Sequence, residues 1–195
     1  WALEGAGLVW VGLRQSHLIS RVFGLVVQVA AIFAFGIHTE RLFDAPYIAA
    51  DTLSMALLAG ALLFTSRQYA KHGAALFEGK RPVELLAFVV GAMFWIGCGA
   101  HFLNGQLVGA DARHAFLVFA AASAVFANAV GVRLPWLAPR IASQFLALIM
   151  VLGLGASATL SHPFAQWGWA AWPIAFAALI WIVYREENHF PVMRP

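Results

Sequence analysis

Charge is what this sequence has least of. Asp, Glu, Lys and Arg make up 11% of its 195 residues, whereas a soluble domain carries about 25% because water must wet its surface. Cysteine is almost absent as well. Cys98 stands alone, which excludes an intrachain disulfide framework and a cysteine-rich metal site. With no basic neighbour to lower its pKa, it reads as an inert buried thiol and not as a nucleophile. No His-Glu-x-x-His occurs, and the spacing of histidines and carboxylates matches no recognised metal motif. No cofactor or metal is therefore expected. No basic segment precedes the first apolar run, and no signal-peptide cleavage site follows it.

What fills the space is apolar: 62% of residues are hydrophobic and the mean hydropathy is +0.79. Such a chain belongs in a bilayer. A membrane-spanning helix needs roughly 20 apolar residues, and six runs approach that length, at 22–37, 48–65, 83–103, 114–132, 141–160 and 167–184. A seventh, 1–13, reads as the inner end of a helix. The expected fold is all-α, a single polytopic transmembrane bundle over residues 1–195 with six complete helices and that partial one. Trp1 stands where a start methionine would, inside an apolar run, so the chain reads as a fragment of a longer multi-pass protein.

The net charge of +3 raises the question of nucleic acid, and the positions of the basic residues answer it. Ten of the twelve Lys and Arg fall in alternate loops: Arg14, Arg21, Arg67, Lys71, Lys80, Arg81, Arg133, Arg140, Arg185 and Arg194. Only Arg41 and Arg113 lie in the others. Cytoplasmic loops collect Lys and Arg, so the basic excess is a topology signal. It puts the N-terminal end toward the periplasm and the C-terminus in the cytoplasm, and excludes nucleic acid as a partner. Arg67, Lys71, Lys80 and Arg81 also make a basic stretch able to attract anionic lipid at about 1 kcal/mol per charge.

The opening WALEGAGLVWVGLRQ, with RVFGLVVQ at 21–28 just after it, resembles a family of bacterial multi-pass inner-membrane proteins known only as a domain of unknown function. The later spacing of apolar runs and short loops is similar too. The resemblance implies a bacterial inner membrane and a polytopic helical fold, and it carries no reaction.

Two groups of polar residues remain. Glu4 lies ten residues before Arg14, hence about 15 Å deeper at 1.5 Å per residue, near the midplane of a core roughly 30 Å thick. A charged carboxylate facing lipid there costs about 2.5–3.5 kcal/mol, so Glu4 is expected to face other helices or to be protonated. Gln28, Ser123 and Asn128 share the inner half of the membrane by the same ruler. Asn128 continues a stripe of small residues, Ala120 and Ala124, of the kind that lets helices approach closely. The plain reading is a helix clasp; the sharper one is proton or cation handling. The second group lies toward the outer face: Asp51, His101, His114 and His162, residue types able to ligate zinc or transfer protons. Interfacial side chains and loop caps are their plain reading. A structural or assembly role in the cell envelope ranks first and the chain is expected not to be an enzyme. Transport of a small or amphipathic solute through an intramembrane Glu ranks second, and an enzyme at the periplasmic face third.

Overall fold

The computed structural model describes residues 1–37, 48–72, 81–160 and 162–189. Arg41, Lys80 and Arg194 lie outside them. Among the described residues the chain is helical throughout: α1 (Ala2–Arg14), α2 (Leu18–Ile37), α3 (Ile48–His72), α4 (Arg81–Gln106), α5 (Ala110–Arg133), α6 (Leu137–Gln144), α7 (Leu146–Leu160) and α8 (Gly168–His189). Five stretches are long and apolar enough to cross a membrane: α2, 82–106 of α4, α5, 137–155 of α6 and α7, and 168–188 of α8. Their outward faces carry large apolar side chains, among them Ile19, Phe33, Met93, Phe126 and Val151. A soluble monomer does not leave so much apolar surface uncovered; lipid covers it here. The chain is a polytopic helical membrane protein.

The helices divide into two compact units, residues 1–105 and 106–195. In the first, α1 and α2 form an antiparallel hairpin around a turn at 15–17, where Ser16 takes a φ of 58°. Glycine sets their closeness. A Cβ on Gly24 would stand 2.6 Å from the Gly5 carbonyl, and one on Gly5 2.7 Å from the Gly24 carbonyl. With no hydrophobic drive between helices in lipid, such backbone contact is what holds them. Val9, Leu13 and Tyr69 bring α3 onto this hairpin, with Leu25 and Val83 packed around them. Arg14 lays its guanidinium 5.0 Å from the Trp10 ring centre at the end of α1, a cation–π contact.

In the second unit α5 packs on α7 and α8 through a core of alanines interleaved with Leu117, Leu146, Met150, Trp172 and Ile182, and α6 lies against α5. Pro173 sits inside α8, which starts at Gly168 and runs through it; the freed carbonyl one turn earlier is a tolerable loss within a bundle. The apolar run 141–160 begins in a separate short helix, because α6 closes at Phe145, whose N–H turns back to the Ala142 carbonyl at 3.1 Å.

Candidate functional site

The most developed polar constellation lies in the second unit, where α5, α6 and α8 meet. After Arg133 the chain reverses through an extended Trp136 (φ −128°, ψ 109°), whose N–H bonds the Gly131 carbonyl at 3.0 Å. This return carries the Arg140 stem directly over Gly131. A Cβ there would lie 2.5 Å from the Arg140 Cγ, so no larger residue fits without moving the arginine. The guanidinium then forks onto Glu186: Nε donates to Oε1 at 3.1 Å and Nη2 to Oε2 at 2.6 Å. The Asn128 amide donates to the same Oε1 at 2.7 Å and to Ser143 Oγ at 3.4 Å, and Ser143 donates to the Arg140 carbonyl at 2.7 Å.

Asn128 and Ser143 are fully buried, and the two charged side chains are 18% and 14% exposed. A bidentate guanidinium–carboxylate pair is the strongest common ion-pair geometry, and it leaves no net charge in a poorly solvated place. Asn128 Oδ1 is the exception, buried and without a hydrogen-bond partner. Chemically the cluster ties three helices together and keeps the carboxylate occupied.

The first unit builds the same crossing once more. A Cβ on Gly12 would stand 2.7 Å from Arg21 Cγ and 2.8 Å from Arg21 N, as Gly131 stands to Arg140. Both pairs are nine residues apart, within Val11-Gly12-x-Arg14-x3-Leu18-x2-Arg21 and Val130-Gly131-x-Arg133-x3-Leu137-x2-Arg140. Arg21 is buried and donates through Nε to the His17 carbonyl at 3.3 Å. Two turns further on, the Gln28 amide donates to Thr65 Oγ1 at 2.8 Å and toward the Ala61 carbonyl at 3.4 Å. Its Oε1 is buried without a partner. Ser66 Oγ donates to the Glu84 carbonyl at 2.9 Å, joining α3 to α4.

Of the four intramembrane candidates, Gln28 and Asn128 are thus buried and bonded, Gln28 to α3 and Asn128 to α8 and α6. Ser123 is half-buried on α5. Glu4 lies away from the Gly5, Val9 and Gly12 face of α1, and its side chain is 73% exposed. Gln28 turns its amide to α3 and not to Glu4. Arg140 and Glu186 do not stand out in the sequence, because both look like loop charges. The signal able to reveal Arg140 was the twice-repeated Gly–Arg spacing; nothing local points to Glu186.

Toward the other end, the Cys98 thiol donates to the Thr52 carbonyl at 3.4 Å, which sets the first turn of α3 against the last turns of α4. Asp51 and His101 flank that contact, yet Asp51 Oδ2 and His101 Nε2 are each buried without a partner, so no bond joins those two atoms. His114 is buried beneath Gly168, where a Cβ would lie 2.9 Å from its Nε2 and against the Pro163 carbonyl. His162 is exposed and its Nδ1 accepts the Phe164 N–H at 3.2 Å. Among the described residues no three His, Cys, Asp or Glu side chains come together closely enough to hold a metal. On α3, Arg67 is half-buried and Lys71 exposed, and Arg81 opens α4.

Compared with known proteins, residues 1–195 match the family model described as "Predicted membrane protein (DUF2339)". No curated protein and no solved structure matches the chain.

Proposed function

From the premise that the chain belongs to the DUF2339 family of predicted membrane proteins, we propose that it is a structural or assembly segment of a multi-pass protein in the bacterial inner membrane. In this reading its N-terminal end faces the periplasm and its basic loops face the cytoplasm. The observation that carries it is the Arg140–Glu186 pair with Asn128 and Ser143. Their hydrogen bonds join three helices, which is the arrangement of a clasp. Its partners in this reading are the remaining helices of a longer chain or other membrane subunits, and lipid: the bilayer around the helices, with anionic headgroups drawn to Arg67, Lys71, Lys80 and Arg81.

Complementation tests this. In a strain lacking the gene, Arg140→Met and Glu186→Leu singly should each fail to restore envelope integrity, and the double variant should restore it. A double variant that folds and is still inactive would mean that the charges act on something beyond the helices.

Transport is the second reading, and one observation favours it: Gln28 Oε1 and Asn128 Oδ1 are buried acceptors without partners inside apolar helices. Carbonyl oxygens of that kind can coordinate a cation or a water chain. Proton or cation flux in proteoliposomes that is lost in Gln28→Leu without loss of folding would bring this reading forward.

A further inference from the structure

The end of the second unit away from the Arg140–Glu186 pair carries a different constellation. The turn at 162–167 enters α8 through two reversals, Ala165 N–H to the His162 carbonyl at 3.0 Å and Gly168 N–H to the Ala165 carbonyl at 2.9 Å. Gln166 is held at a φ of 52°, a left-handed conformation uncommon for a side-chain-bearing residue. Gly168, lacking a side chain, lets this turn lie directly on His114 of α5. One turn before His114 stands Asp111, and the fold thereby gathers Asp111, Gln166, Trp167 and Trp169 around a depression of about 360 Å³.

The chemistry of that lining is one-sided. Asp111 has one carboxylate oxygen, Oδ1, shut away from solvent and without a hydrogen-bond partner. It lies in the first turn of α5. Trp167 and Trp169 are each 67% exposed, and indole faces are the best aromatic surfaces for a cation. Among the described residues no basic side chain lines the depression. An anion would meet the carboxylate's repulsion. A metal ion would find one carboxylate where it needs several ligands. A neutral apolar group would leave the Asp111 carboxylate without a counter-charge.

We propose that this depression binds an organic ammonium, with Asp111 countering its charge, the two indoles packing on its carbon-bound groups, and Gln166 offering an amide acceptor. Two sources supply that chemistry: the ethanolamine or choline headgroup of a lipid, and a free amine on the same side of the membrane.

The test uses the full chain in nanodiscs of phosphatidylglycerol alone, which has no amine headgroup. Tetramethylammonium chloride is titrated against sodium chloride at equal ionic strength while tryptophan fluorescence is followed. A saturable change specific to tetramethylammonium is expected, with the midpoint moved about tenfold or more to higher concentration by Asp111→Asn and by Trp169→Leu. Trp169 is exposed, so its replacement keeps the fold should the Asp111 variant not. A response equal to that of sodium, or one unchanged in the folded variants, would overturn the proposal. Repeating the titration in phosphatidylethanolamine or phosphatidylcholine nanodiscs assigns the source. Loss of the soluble response there gives the site to a lipid headgroup, and an undiminished response gives it to a free amine; both support the site.

Discussion

Gln28 bonds Thr65 from inside the apolar face of α2, and Asn128 reaches Glu186 from the alanine-rich face of α5. Hydrogen bonds of this type within a membrane protein average about 0.6 kcal/mol. Gln28→Leu should therefore cost little more than that, about 1 kcal/mol, read as a shift in thermal unfolding in detergent. Thr65→Val should cost a similar amount, and the two together little more than either. Both amides were legible in the sequence for one physical reason. A polar side chain in the middle of an apolar helix must face another helix, and its depth follows from counting residues back to the nearest arginine. Their partners were not legible. Thr65 lies thirty-seven residues from Gln28 and Glu186 fifty-eight from Asn128, separations set only by how the helices pack. Glu4 fits neither case: counting residues gives its depth, but not which way its side chain points.

At the scale of the helices, the apolar runs marked every long element, and all but α7 then extended past their runs. The run at 114–132 became α5 over Ala110–Arg133, and that at 48–65 became α3 over Ile48–His72. Turns at the membrane surface accept polar residues while remaining helical, so hydropathy alone trims helix ends. The division of 141–160 between α6 and α7 was not legible, because Phe145 carries no breaking residue. The Gly–Arg crossing was written in the sequence twice, in residues that a count of loop charges treats as topology only. That crossing predicts a sharp size limit. Gly131→Leu should displace Arg140 from Glu186 and destabilise the second unit by about 2–3 kcal/mol. Gly155→Leu, at an exposed position where a Cβ meets no described atom within 4 Å, should be tolerated. Limited proteolysis in mild detergent separates the two: the 131 variant should be cleaved much faster and the 155 variant at the parental rate.

For the whole molecule, composition and charge placement carried the main result, a polytopic helical bundle in a membrane. Orientation rests on the ten-to-two division of Lys and Arg alone, and it makes a simple prediction. A single cysteine replacing exposed Lys71, in a Cys98→Ala background, should react with an impermeant maleimide only after the inner membrane is opened. Labelling in intact spheroplasts would reverse the orientation. The central claim is that the buried polar groups hold helices together, and a double-mutant cycle on Arg140 and Glu186 in lipid nanodiscs or bicelles tests it most directly. Unfolding free energies are measured for the parent, Arg140→Met, Glu186→Leu and the double variant. Each single change leaves a charge stranded and should cost about 3 kcal/mol, while the double variant should cost far less than the sum of the two. Additive losses, or singles as stable as the parent, would contradict the clasp.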